Sequence, residues 1–109
     1  MLEIDILAVV PGLLEGPFSH SILQRAADKN LLKVRVIDLR TFGIGTYHQI
    51  DDNAFGGGAG MVLMAQPLAH AIRNLLAEGA YDEIIYLTPD GTTLNQSLAN
   101  KLSLRSKLL

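Results

Sequence analysis

The residues best suited to chemistry begin with a glycine cluster, Gly56-Gly57-Gly58-Ala59-Gly60. Glycines allow positive φ angles and leave backbone amides open, so such a cluster can approach an anion or a flat base closely. It is not a phosphate-binding P-loop, because no Lys-Ser or Lys-Thr follows it. It also does not lie directly between a strand and a helix, as a dinucleotide fingerprint does. Taken alone, the glycine run favours an ordinary flexible turn over a binding loop.

An aspartate pair, Asp51-Asp52, stands just before the glycine cluster, and His48 precedes the pair by three residues. Neighbouring carboxylates can bind magnesium or serve as a base. Adjacent side chains usually point in different directions, however, so the spacing alone favours a solvated loop. The other two histidines, His20 and His70, are predicted to be surface or edge residues.

A third candidate is the segment Tyr86-Leu87-Thr88-Pro89-Asp90-Gly91, which follows a predicted strand. Open α/β sheets bind ligands at the carboxyl ends of their strands. The backbone groups and the hydroxyl of this segment could cradle a nucleoside, although an ordinary β-to-α turn explains the same pattern. No nucleophile with a matching base is visible. The residues alone therefore predict an α/β domain with a glycine-rich functional loop.

The composition restricts the class of protein. A chain of 109 residues with 49% hydrophobic and 18% charged residues fits one globular domain over residues 1–109. The net charge of −2 argues against a broad basic face for nucleic acid, so any contact with RNA must be local. The absence of cysteine excludes disulfides and thiolate metal sites and suits the cytoplasm. Neither a membrane span nor a signal peptide is predicted.

Strand and helix patterns alternate along the chain. The apolar run Glu3–Val10 predicts a strand buried on both faces, and Lys33–Leu39 and Glu83–Leu87 predict two more. Ser106–Leu109 reads as a fourth strand just beginning. This alternation predicts a mainly parallel α/β sheet flanked by helices.

Three helices are predicted between these strands. Two of them begin at capping boxes and one begins with a proline at its first position: Ser21–Gln24, Thr93–Gln96 and Pro67. Asn30 and Gly79 are predicted to end the first two helices along the chain. Between Arg40 and Gly60 the sequence predicts no element, and long segments of this kind are usually functional or mobile.

Across nearly its whole length the sequence resembles the TrmD family of bacterial tRNA (guanine-N1)-methyltransferases. Five stretches match that family in their residue types and in their order along the chain: Glu15–Leu23, Ile50-Asp51-Asp52, Phe55–Met61, Gln66-Pro67-Leu68 and Ile85–Pro89. The most specific of them is the aspartate pair followed by an aromatic residue, three glycines and Gly-Met. Its combination with the later Tyr-Leu-Thr-Pro turn is what identifies the resemblance.

The resemblance implies the N-terminal part of a SPOUT-class fold, whose C-terminal part is tied in a trefoil knot. Members are homodimers that transfer a methyl group from S-adenosylmethionine to N1 of the guanosine 3′ of the tRNA anticodon, with a magnesium ion assisting. By the same resemblance, four residues match a loop that holds the methyl donor: Tyr86, Leu87, Thr88 and Pro89. The residues that match the seat of the target guanine are Asp51, Gly56, Gly57, Gly58 and Gly60.

The sequence departs from the family pattern in three places. Tyr47 and His48 stand where the family usually has a histidine and a basic residue, and Ala54 replaces a common proline. Family members also continue beyond Leu109 with the remaining donor loops, the catalytic residues and most of the RNA-binding surface. The resemblance therefore implies that the knot does not close in this chain, that it contains no catalytic residue, and that it does not methylate tRNA by itself. The alternatives are a binding or dimerisation module without catalysis, and a structural domain whose glycine loop is a hinge.

Overall fold

Strand β1 (Leu2–Ala8) lies in the middle of a three-stranded sheet, between β2 (Leu32–Asp38) and β5 (Lys107–Leu108). The computed structural model describes residues 1–53 and 61–109. They form two compact units: residues 1–37 together with 80–109, and residues 38–79. The sheet belongs to the first unit, in which β5 pairs with β1 in parallel, with Glu3 opposite Lys107 and Ile4 opposite Leu108. The predicted α/β class is confirmed.

The predicted first strand is confirmed, but its burial was predicted wrongly. Six of its residues are half-buried, and the only buried one is Asp5, the residue that interrupts the apolar run. β2 alternates between half-buried and exposed positions over most of its length, as predicted. The predicted strand at the chain end is β5.

Two short helices, α1 (Gly12–Phe18) and α2 (Ser21–Asp28), connect β1 to β2. α1 was not predicted, because Pro11 and Gly12 were interpreted as a stop. The capping box of α2 was also wrong: His20 is the N-cap, and the Gln24 amide donates to Asp28 Oδ1 at 2.8 Å instead of reaching back.

Asn30 terminates helix α2, as the sequence predicted. Asn30 has φ 57°, its N–H donates to the Ala27 carbonyl at 3.0 Å, and the Leu31 N–H donates to the Ala26 carbonyl at 2.9 Å. These two bonds form a Schellman motif, which satisfies carbonyls at the helix end.

The predicted third strand, Glu83–Leu87, is shorter in the structure than expected. It forms a single parallel bridge, from Glu83 to Leu108. Three hydrogen bonds continue this pairing, and the last runs from Ile85 N to the Leu109 carbonyl at 2.7 Å. Residues 86 and 87 are not part of a strand.

Helix α4 (Gln96–Ser103) precedes β5. Its predicted capping box at Thr93 was wrong by two residues, because Asn95 is the N-cap and its Oδ1 accepts from the Leu98 N–H at 2.8 Å. Asparagine is among the preferred N-cap residues, so the helix begins where a side chain can satisfy a free amide.

The second unit is built around helix α3 (Ala65–Glu78), which contacts a 3₁₀ turn at Leu39–Phe42. Pro67 lies in the third helical position, not the first as predicted, because the helix begins directly after Met64. Gly79 is the C-cap, as predicted. The buried residues of this unit come from the turn, a connecting segment and one face of α3: Leu39, Ile50, Pro67, Ala71 and Leu75.

Strands β3 (Asp51–Asn53) and β4 (Met61–Leu63) pair antiparallel in the second unit. The prediction of no element between Arg40 and Gly60 was therefore wrong for the 3₁₀ turn and for β3. The exposed His70 contacts the Phe42 ring edge-on, with 5.4 Å between ring centroids. A surface or edge position was predicted for His70, and the structure agrees.

Candidate functional site

The segment Tyr86–Pro89 lies at the carboxyl end of the extended stretch that pairs with β5. It leads into a turn in which the Gly91 N–H donates to the Thr88 carbonyl at 3.2 Å. Proline at the second position suits such a turn, because its φ is already set. The predicted turn at Thr88–Gly91 is thus confirmed, and its place relative to the sheet is the one where ligands of α/β proteins bind.

The side chains of this segment are open to a ligand. Tyr86 is 71% exposed and Leu87 is 88% exposed. Among the described residues, none forms a hydrogen bond with the backbone of Tyr86 or Leu87. An aromatic ring, an aliphatic side chain, the Thr88 hydroxyl and unpaired backbone groups together suit a nucleoside, which has a flat apolar base and polar edges.

Asp82, four residues before Tyr86, connects the stretch that leads into this segment to the start of β5. Its Oδ2 accepts from the Ser106 N–H at 2.7 Å and from the Lys107 N–H at 3.0 Å. These two backbone hydrogen bonds lower the pKa of Asp82, since they stabilise its charged form. The neighbouring Glu83 forms an exposed ion pair with Arg105 at 3.3 Å, which contributes little to stability.

A cluster that the sequence did not predict surrounds Asp5 in the central strand and includes Tyr81, five residues before Tyr86. Asp5 is only 6% exposed, and both of its carboxylate oxygens accept from Arg35 of β2, Oδ1 from Nε at 3.0 Å and Oδ2 from Nη2 at 2.8 Å. The Tyr81 hydroxyl donates to Oδ2 as well. Lys107 Nζ lies 4.8 Å from the centroid of the Tyr81 ring, a cation–π contact.

The charges of this cluster shift two pKa values in opposite directions. Burial by itself would raise the pKa of Asp5, but the hydrogen bonds from Arg35 and Tyr81 and the charges of Arg35 and Lys107 outweigh it, so the pKa lies below its ordinary value. Burial and the hydrogen bond to Asp5 raise the pKa of Tyr81 to about 12. At neutral pH the cluster therefore holds a charged carboxylate and a neutral phenol.

We expect the alkaline stability of the chain to depend on Tyr81. Its pKa is raised from 10.0 to about 12, so its contribution is complete below pH 10 and is lost as the pH rises towards 12. In Tyr81→Phe this loss should disappear, and the free energy of unfolding should change less between pH 10 and pH 12 than in the unmodified chain. Urea unfolding at a series of pH values measures it. Equal slopes in the two proteins would contradict the assignment.

In the second unit, Asp51 is the first residue of β3 and is half-buried. Ile50, the residue before it, is fully buried, and its carbonyl accepts from the Met64 N–H at 2.7 Å. Among the described residues, none forms a hydrogen bond or ion pair with the Asp51 carboxylate. Asp51 thus combines a fixed backbone with a carboxylate that no described residue engages, and a carboxylate of this kind suits the binding of hydrogen-bond donors.

A tight hairpin precedes Asp51. Ile44 and Gln49 pair antiparallel through two backbone hydrogen bonds of 2.8 and 3.0 Å. The side-chain amide of Gln49 (Nε2) donates to the Asp51 carbonyl at 2.9 Å. Gly45 and His48 have positive φ angles of 72° and 52°. His48 is thus a turn residue of this hairpin, and no described group ties it to the Asp51 carboxylate.

Substitution at Gly43 tests the closure of this hairpin. A Cβ atom at Gly43 would overlap the backbone of His48, whereas one at Gly16 of α1 would meet open space. We expect Gly43→Ala to lower the free energy of unfolding by about 1–3 kcal/mol. Gly16→Ala should be neutral or stabilising by up to about 1 kcal/mol, because alanine is the better helix former. Urea unfolding of the two variants measures both; equal effects would contradict the close packing.

The other predicted site residues fall in three parts of the chain. Gly56, Gly57, Gly58 and Gly60 lie outside the described residues, so their role stays a prediction. Tyr86–Pro89 belongs to the first unit and Asp51 to the second. Within residues 1–53 and 61–109, no cluster of three acidic or histidine side chains could hold a metal ion. No described helix is both long and apolar enough to cross a membrane.

An α/β sheet with a ligand-accessible loop at the carboxyl ends of its strands is the arrangement of nucleotide-binding α/β proteins. Residues 2–109 match the family model of tRNA (guanine-1)-methyltransferase TrmD. The chain belongs to this family.

Individual relatives agree with this result. The chain is 50% identical over 108 residues to a tRNA (guanine-N(1)-)-methyltransferase of Christiangramia forsetii, and 48% identical to one of Flavobacterium johnsoniae. In both cases the match covers 99% of this chain and 48% of the relative. The crystal structure of tRNA (m1G37) methyltransferase from Aquifex aeolicus matches with a TM-score of 0.85 and 31% identity, over 98% of this chain and 48% of that one. The chain therefore spans about half the length of these relatives.

Proposed function

We propose that this chain is the N-terminal half of an S-adenosylmethionine-dependent enzyme that methylates N1 of a guanosine next to the tRNA anticodon. The observation that carries the proposal is the match to relatives named tRNA (guanine-N(1)-)-methyltransferase, over 99% of the chain and at up to 50% identity. The open Tyr86–Pro89 loop and the available Asp51 carboxylate support it. The same proposal includes the family's homodimer, its trefoil knot and a cytoplasmic location.

Tyr86, Leu87, Thr88 and Pro89 are assigned to the methyl donor. The exposed ring of Tyr86 and the side chain of Leu87 fit the base and the ribose of an adenosine, and the free backbone groups fit its polar edge. S-adenosylmethionine, when bound, supplies an electrophilic methyl group. The role of this loop is to hold and orient the donor, and a fixed orientation accelerates a transfer between two bound reactants.

Asp51 and the glycine loop are assigned to the target base. A guanine presents N1–H and the exocyclic amine on one edge, and a carboxylate can accept from both. Glycines 56, 57, 58 and 60 would let the base approach the backbone closely. The described residues offer no cluster of three acidic or histidine side chains for magnesium, so none of them is assigned to that ion.

A chimera provides the test. In it, this chain replaces the matching half of the Christiangramia forsetii relative, to which it is 50% identical. We expect the chimera to transfer radiolabelled methyl groups to tRNA, and the 109-residue chain alone to transfer none, because the catalytic residues are assigned to the other half. A binding module without catalysis is the alternative, and it would give a chimera that binds tRNA but does not methylate it.

A further inference from the structure

Tyr81 connects the candidate donor loop to the buried carboxylate of Asp5. Tyr81 precedes the loop by five residues, and its hydroxyl donates to Asp5 Oδ2 in the central strand. Arg35 binds both oxygens of the same carboxylate, so the acceptor of Tyr81 is held in one orientation. The stretch that leads into the loop is therefore hydrogen-bonded through Tyr81 to Asp5, the most buried polar residue of the first unit.

The segment is held from its other side by β5. Asp82 accepts from two amides at the start of that strand, and the Ile85 N–H donates to the Leu109 carbonyl at 2.7 Å. After Ile85, none of the described residues forms a backbone hydrogen bond with the segment until the Thr88–Gly91 turn. The position of Tyr86 and Leu87 is thus determined by the contacts made at residues 81–85.

We propose that Asp5 and Tyr81 are positioning residues for the donor loop Tyr86–Pro89. Their hydrogen bond keeps the segment aligned with β5 and so keeps the loop in the conformation that binds the methyl donor. Without the bond the loop adopts other conformations, and the apparent affinity falls by the fraction of time spent in them. The proposal rests on the proposed function, which assigns the donor to this loop.

Hydrogen exchange on the 109-residue chain tests the positioning without any ligand. Tyr81→Phe removes only the hydroxyl and keeps the ring that Lys107 contacts. We expect the Ile85 and Leu109 amides to exchange about 10–100-fold faster, the effect of losing one hydrogen bond to a charged group. The Leu31 amide, bonded to the Ala26 carbonyl at the end of α2, should keep its rate. Equal acceleration at all three amides, or none, would overturn the proposal.

Titration of S-adenosylmethionine into the chimera tests the consequence for binding. Tyr81→Phe and Asp5→Leu should each raise the Kd about 10–100-fold. The double variant should raise it no further than the stronger single variant, because both substitutions remove the same bond. Leu23→Ala, which lies in α2 beside an apolar pocket, is the control for general destabilisation and should leave the Kd unchanged.

The two experiments separate the proposals. Absence of donor binding by the unmodified chimera would count against the proposed function, while the exchange rates would still decide whether Tyr81 orders the segment. Normal donor affinity in Tyr81→Phe and Asp5→Leu would overturn the positioning role and leave the proposed function intact. The chimera should bind S-adenosylmethionine with its full affinity only when the Tyr81 hydroxyl and the Asp5 carboxylate are both present.

Discussion

Replacing Asp51 with Ala in the chimera is expected to lower kcat/KM for tRNA methylation by about 10–100-fold. The substitution removes a carboxylate assigned to both donors on the guanine edge, and a hydrogen bond to a charged group is worth about 1.5–3 kcal/mol. Asp51→Asn keeps the shape and one acceptor oxygen, so its loss should be smaller. Initial rates of radiolabel transfer at several tRNA concentrations give the values.

The donor affinity is the control for this prediction. Asp51 belongs to the second unit and is assigned to the base, so the Kd for S-adenosylmethionine should not change in Asp51→Ala. Unchanged methylation would instead support the structural account, in which the glycine loop that follows Asp51 is only a hinge. A lower donor affinity would show that the substitution disturbs the whole protein.

Arg35→Met is expected to lower the free energy of unfolding of the chain at pH 7 by about 1–2 kcal/mol. It leaves the buried Asp5 carboxylate with Tyr81 as its remaining described side-chain hydrogen-bond donor, and the loss is smaller than for a fully buried ion pair because the Arg35 side chain is 43% exposed. Replacing both members, as Asp5→Leu with Arg35→Met, should recover much of the loss because no buried charge then remains. Urea unfolding of the single and double variants measures the difference.

The same variant has an expected pH dependence. The pKa of Asp5 is lowered in the folded chain, so its stabilisation is present above the ordinary value of 3.8 and is lost as the pH falls below it. The difference between the unmodified chain and Arg35→Met should therefore be largest at neutral pH and should shrink below pH 3.8. A difference that stays constant with pH would mean that Arg35 stabilises the chain through packing and not through Asp5.

The sequence predicted the elements well where a periodic pattern was long. β1, β2, α3 and the end of α2 at Asn30 follow from apolar spacing and from one residue that accepts a positive φ. The capping boxes failed because several polar residues stand near each helix start, and only the local backbone decides which of them caps. At α4 the nearer Asn95 caps the helix in place of Thr93.

The site could be predicted only in part. The Thr88–Gly91 turn followed from its composition, and the resemblance drew attention to Asp51 and Tyr86. The Asp5 cluster could not be predicted, because its members are separated by 30 and 76 positions and meet only when β1, β2 and the segment before the loop come together. The available signal was weak: a single carboxylate inside an otherwise apolar strand.

Methyl transfer by the chimera decides whether this chain is half of a tRNA methyltransferase. Two transcripts of one tRNA, with guanosine or adenosine 3′ of the anticodon, are offered with labelled S-adenosylmethionine, and the parent relative serves as the positive control. We expect the chimera to methylate the guanosine transcript alone, and the 109-residue chain without its other half to methylate neither. An inactive chimera beside an active parent would contradict the assignment of this chain as half of the enzyme.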